Sequence, residues 1–160
     1  MLELGKSGSH GTPRGTVPVL SAETVVATLQ ASNWREAARA EVRETSWVFR
    51  RDGGRALIGR WAADPEDAVR FRAHQDSYWK GGWSMTLDGL PVEVATASRW
   101  KGTHRFLADG RQVAESGTTG GWNPRPTLVP SSELSLDHAV FLLWFELLLG
   151  RRAAAVAAAV

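Results

Sequence analysis

Cysteine is absent from the 160 residues, which excludes a disulfide framework and any thiolate metal site. Lysine is nearly absent: three lysines stand beside 16 arginines, a bias that reflects genomic base composition before function. An excess of one charge is missing as well. Nineteen basic side chains against seventeen acidic ones leave a net charge of +2, so charge alone implies no polyanion partner and nucleic acid is not expected. No apolar run reaches membrane-spanning length. Leu136 to Gly150, LDHAVFLLWFELLLG, would rise about 22 Å as a helix, short of the ~30 Å hydrocarbon core. Extending it carries Arg151 and Arg152 into lipid at about 2.5 to 3.5 kcal/mol each, so no transmembrane span is expected. Met1 to Val17 lacks the continuous apolar core of a secretory signal, and its Gly, Ser, Thr and Pro content reads as a flexible lead-in over residues 1–20.

Catalytic motifs are missing too. The histidines at 10, 74, 104 and 138 fall in four different segments without metalloprotease spacing, so no metal site or cofactor is expected. Ser116-Gly117 lacks the glycine that precedes the serine of a nucleophile elbow. Asp64, Glu66 and Asp67 surround Pro65 and read as a polar turn, since calcium needs more oxygen ligands at fixed spacing. Gly5-Lys6-Ser7 has neither the first glycine nor the preceding strand of a phosphate loop. No catalytic residue is assigned.

What the chain does contain is one helix that must be surrounded. Between Ala139 and Leu149 only Glu146 is charged, so a helix here is apolar on every side and belongs in an interior. Upstream, three Asp-Gly pairs, at 52–53, 88–89 and 109–110, separate alternating apolar runs, the strongest short-range signal for hairpins. SWVFRR then pairs with ALIGRW, WSMTL with PVEVATA and HRFLA with RQVAES. AVRFRAH alternates as a half-buried strand, and Thr127 to Val129 adds another. Ser21 to Ala31 and the segment from Asn33, WREAARAEVRE, carry helical spacing, a capping-box pattern and helix formers, which predict one or two N-terminal helices. Residues 21–152 thus read as a single mainly β (α+β) domain, an antiparallel barrel or strongly curled sheet around the helix 136–150. Residues 153–160 form an alanine-rich tail.

The strand pair HRFLADGRQVAESG (His104 to Gly117), the loop GGWNPRPTLVP (Gly120 to Pro130) and LDHAVFLLWFELLLGRR (Leu136 to Arg152) resemble the tubby C-terminal-like superfamily. That superfamily includes the plant LURP-one-related proteins and the phospholipid scramblases. The resemblance covers about Ser46 to Arg152. It implies a closed antiparallel barrel threaded by a hydrophobic helix, and a role at membranes or with phosphoinositide head groups as in some members. Twelve strands would require Ser21 to Glu44 to be strands too; otherwise the barrel is smaller. No family ligand residue maps onto this chain.

Two places carry candidate chemistry. The first is a basic, aromatic neighbourhood: Arg99, Trp100, Lys101, His104 and Arg105, with Trp79, Lys80 and Trp83, and the loop residues Trp122 and Arg125. Tryptophan beside lysine and arginine suits a membrane interface or a phosphate-bearing ligand, and it equally suits core filling in a small β-protein. The second is Glu146, a buried charge that needs an arginine from a strand, a place near the barrel mouth, or a neutral form. His138, beside Asp137, reads as a capping residue. The expectation is a cytoplasmic, non-enzymatic binding or membrane-associated module, peripheral at the membrane, whose partner is an anionic membrane surface or a protein. One alternative is a small-molecule carrier or enzyme with a barrel-mouth pocket near Glu146 and His138, and another is a purely structural domain.

Overall fold

Tight turns with backbone φ in the left-handed region set the hairpins of this chain, and the hairpins close on themselves. The computed structural model describes residues 1–32, 34–76 and 82–160. Asp88 and Gly89 (φ 49° and 82°) and Asp109 and Gly110 (φ 50° and 72°) each adopt the pair of positive φ angles of a type I′ turn, whose twist matches that of the strands it joins. At Asp52-Gly53 only the glycine has positive φ, and the connection extends over Gly54 and Arg55.

Twelve strands form one closed antiparallel barrel in which each strand pairs with its neighbours in sequence and β1 closes on β12. The strands are β1 (Leu2–Leu4), β2 (Val17–Ser21), β3 (Thr24–Ala31), β4 (Ala37–Val42), β5 (Thr45–Asp52) and β6 (Ala56–Trp61). The second half comprises β7 (Phe71–Gln75), β8 (Trp83–Leu87), β9 (Leu90–Ser98), β10 (Thr103–Ala108), β11 (Arg111–Thr119) and β12 (Arg125–Pro130), followed by the helix α1 (Leu136–Ala158). The predicted pairings of β5 with β6, β8 with β9 and β10 with β11 are all present.

The N-terminal quarter differs from expectation. Residues 1–20 are not a lead-in: they supply β1 and β2, and Leu2 and Leu4 are buried in the seam where β1 joins β12 and β2. Within Ser21 to Ala31, Ser21 ends β2, Ala22 and Glu23 form a turn and Thr24–Ala31 is β3, and Ala37–Val42 is β4; Asn33 lies outside the described residues. Cross-strand pairing and burial override the helix propensity of these segments. In β4 the inward residues Ala38, Ala40 and Val42 are buried while Arg39 and Glu41 face out, a period of two hidden in an alanine-rich, charge-rich run.

Those alanines have a packing reason. The helix passes through the barrel with Ala139 to Glu146 buried without interruption, and it lies closest to β12 and β4. Short side chains on β4 permit that approach. The wider gap on the other side is filled by rings: Phe49 and Phe71 meet Phe141, Phe49 also meets Trp144, and Trp83 and Phe106 meet Phe145. Each such ring, once buried, contributes about 1.5 to 3 kcal/mol. Ser135 caps the helix, its hydroxyl accepting from the His138 backbone N–H at 3.2 Å. The helix does not stop at Gly150 but continues through the arginines to Ala158. No helix among the described residues is long and apolar enough to cross a membrane.

Candidate functional site

In a closed meander the connections fall alternately at the two ends of the barrel. The β2–β3, β4–β5, β6–β7, β8–β9 and β10–β11 connections share one end with the start of α1. The β3–β4, β5–β6, β7–β8, β9–β10 and β11–β12 connections share the other, where α1 emerges. The long β1–β2 connection also leaves from the emergent end but folds back along the outer wall, for His10 Nε2 reaches Glu23 in the β2–β3 turn at 3.0 Å.

The expected basic, aromatic neighbourhood lies at the emergent end and is divided by the structure. Arg99, Trp100 and Lys101 form the β9–β10 turn and all are exposed; Lys101 is fixed by its backbone N–H donating to Ser98 Oγ at 3.2 Å. Trp122 sits at the tip of the next connection, β11–β12. Arg105 faces outward from the β10 wall, exposed and opposite Glu115. Arg125 is half-buried, and its Nε donates to the Leu4 carbonyl at 2.9 Å, bracing the seam between β12 and β1. His104 turns inward, away from the tryptophans. Trp83 is buried against Phe145, and Trp79 and Lys80 lie outside the described residues.

Trp34 joins the set instead. The β3–β4 connection raises it to the same end, and Trp34, Trp100 and Trp122 are 97%, 97% and 104% exposed. A fully exposed indole forfeits the burial that makes tryptophan useful in a core, so its position needs a reason beyond packing. The reading of residues 33–44 as a helix concealed it. A solitary tryptophan between Asn33 and Arg35, outside any alternating run, was the available signal.

Glu146 finds a histidine where an arginine was expected. Its Oε1 lies 2.8 Å from His104 Nδ1, with the two side chains 5% and 18% exposed. The His104 backbone N–H donates to Ser116 Oγ at 2.8 Å, and its ring meets the edge of Phe145. One and a half turns further on, Arg152 pairs with Glu36 at 2.6 Å and lies over the Trp83 ring, while Arg151 donates to the Ser32 carbonyl at 3.1 Å. His138 is at the opposite end, its Nε2 3.0 Å from Asp88 Oδ2. Glu146 and His138 are therefore eight residues apart along the axis, about 12 Å, with packed rings between them.

Two open clefts lie on the strands and not beside the helix. One, about 320 Å³, is lined by Lys101, Thr103, Ser116, Thr118 and Thr127 among others; the second lies on β8 to β10. No residue of α1 lines either. Among the described residues no group of three His, Asp or Glu side chains is placed to hold a metal ion. Comparison with protein-family models, curated proteins and solved structures gives no match to this chain.

Proposed function

We propose that this chain is a tubby-like barrel that acts as a non-enzymatic module docking on an anionic lipid surface. The contact is made through the β9–β10 turn and the β11–β12 loop. The closed twelve-stranded barrel with a buried C-terminal helix supports the family reading. The observation that carries the functional reading is the pair of fully exposed indoles, Trp100 and Trp122, on neighbouring loops beside Arg99 and Lys101. Neither cation is engaged in an ion pair among the described residues. Indoles favour the boundary between water and acyl chains, and cations meet the phosphates above it.

Magnitude sets a condition. Two cations near an anionic leaflet contribute about 2 kcal/mol, too little to hold a protein there alone. The tryptophans must supply the remainder, so binding depends on ring and charge together.

The test is cosedimentation with neutral and with anionic vesicles at low and high salt. The wild-type chain is compared with a variant carrying Arg99→Glu, Lys101→Glu and Arg105→Glu. Binding to anionic vesicles only, weakened by salt and lost in the variant, is the expected result. Equal binding to neutral vesicles, or none to either, would refute the reading.

A further inference from the structure

The charges of this barrel are sorted between its two ends. At the end where α1 emerges, the described connections other than β1–β2 carry Arg35, Arg55, Arg99 and Lys101, all exposed and none in an ion pair among the described residues. The acidic residues there are Glu36, engaged by Arg51 and Arg152, Asp52, engaged by Arg50 and Arg72, and Asp76, engaged by Ser84 and His74. At the other end Asp64, Glu66 and Asp67 occupy the β6–β7 loop, Asp88 and Asp109 two tight turns, and Glu133 the approach to the helix. Glu23 and Glu44 add to the same end, against Arg43, Arg60, Arg70 and Arg111. A net charge of +2 conceals this segregation, which gives the molecule a positive rim and a negative base.

The exposed rings follow the charge. Among the described residues the three tryptophans exposed beyond nine-tenths are Trp34, Trp100 and Trp122, and all stand on the positive rim. They do not form one lateral patch. Around the rim the β3–β4 connection is separated from the β9–β10 turn by the β11–β12 loop and by the strands β1 and β2. A flat surface touching all three rings must therefore lie across the mouth. The last turns of α1, Ala153 to Ala158, rise from the same mouth with every residue exposed, Val156 at 68%. Eight residues beyond Gly150 project about 12 Å. These turns carry no charge, and Arg151 and Arg152 sit at their foot.

Resting on the lipid reading above, we infer that the barrel docks end-on, its axis along the bilayer normal. Trp34, Trp100 and Trp122 form a three-point contact, and Arg35, Arg55, Arg99 and Lys101 meet lipid phosphates between them. The apolar turns of α1 enter the interface at the centre, and the acidic base points away. An orientation with the axis parallel to the membrane would use Arg105 and the β9 to β12 wall, and would leave Trp34 and Val156 in water. Charge complementarity decides for an anionic bilayer: the same field that draws the rim to a negative leaflet repels the base from it.

The chain has no cysteine, so single spin labels can be placed without background. One label is introduced through Val156→Cys and another through Asp109→Cys, and each is followed with vesicles of phosphatidylserine in phosphatidylcholine. Trp34→Ala and Arg55→Glu are sedimented in parallel. Trp34, Arg55 and Val156 are exposed, so an unchanged thermal unfolding curve verifies the fold of each of those variants. The expected result is that the label at 156 becomes shielded from a water-soluble relaxant while the label at 109 stays wet. Trp34→Ala then weakens binding severalfold and Arg55→Glu at least about fivefold, one cation's share. Wild-type binding by both variants, with a wet label at 156 and loss only in the Arg99, Lys101 and Arg105 variant, would overturn the end-on geometry and leave the lipid reading standing. Absence of vesicle binding by the wild-type chain would overturn both. Self-association abolished by Trp34→Ala, without vesicle binding, would assign the rim to a protein contact instead.

Discussion

His104 Nδ1 on β10 lies 2.8 Å from Glu146 Oε1 on α1, and this pair is the polar link between the barrel wall and the buried middle of the helix. A carboxylate that deep is tolerated because a ring N–H donates to it. Glu146→Gln keeps an acceptor at the same place and should cost about 1 kcal/mol of unfolding free energy. Glu146→Leu leaves the His104 donor facing apolar surface and should cost about 2 to 3 kcal/mol. In the double variant Glu146→Leu with His104→Phe, part of that loss should return, because no unpaired group is left. Urea unfolding of the wild-type chain, Glu146→Leu, His104→Phe and the double variant measures the coupling, and strictly additive losses would show that the two groups do not interact.

Gly59 on β6 is a packing glycine, not a turn residue. A Cβ there would come within 2.9 Å of Phe71 Cδ2 and 3.1 Å of Phe49 Cδ1, and both rings are wedged against Phe141. Neither can swing away without displacing the helix. Gly59→Ala should therefore destabilise by about 1 to 3 kcal/mol, read as a lower urea midpoint with an unchanged slope. Gly53→Ala provides the contrast. Nothing lies within 4 Å of its Cβ position but its φ is 68°, so its loss comes from backbone strain of about 1 kcal/mol.

The turns explain what the sequence disclosed and what it hid. Asp88-Gly89 and Asp109-Gly110 announce themselves because aspartate and glycine reach positive φ at low cost. The β2–β3 turn makes the same double excursion with Ala22 at 47° and Glu23 at 66°, residues that suggest a helix start. The β4–β5 turn uses Arg43 at 55°, again without a glycine. Two hairpins were thus invisible, and β2, β3 and β4 with them. The Leu136 to Gly150 helix was legible because apolarity on every side has few physical solutions. The charged part of the rim was half legible. Arg99 to Lys101 and Trp122 stand near one another along the chain, whereas Trp34 and Arg55 reach the same mouth only through closure of the barrel.

The hidden turn carries its own prediction. Replacing Ala22 and Glu23 by Asn and Gly puts the preferred pair at positions already in left-handed conformation. Relief of strain at two residues is worth about 1 to 2 kcal/mol each at most. The exposed contact between Glu23 and His10, at 3.0 Å with Glu23 79% exposed, contributes under about 1 kcal/mol. The double variant should therefore be more stable by about 1 kcal/mol, with a raised thermal midpoint. A lower midpoint would mean that the β1–β2 connection depends on Glu23 more than its exposure implies.

Two buried tryptophans invite the same substitution with different consequences. Trp47 stacks on Phe71 at 4.3 Å between ring centres, and its Nε1 donates to Asp137 Oδ1 at 3.1 Å, tying β5 to the first turn of α1. Trp144 is equally buried between Phe49 and Phe141, yet its Nε1 has no partner among the described residues. Trp47→Phe loses a made hydrogen bond, leaves a carboxylate short of its donor and thins a stacked pair, for a total of about 2 to 3 kcal/mol. Trp144→Phe loses ring volume but also removes an unsatisfied N–H whose burial costs about 1 to 3 kcal/mol. The two terms oppose, so its stability should stay within about 1 kcal/mol of the wild-type value. Urea unfolding of the two variants side by side decides the matter: Trp47→Phe should be the less stable, and the opposite order would place a hydrogen-bond partner on Trp144 in solution.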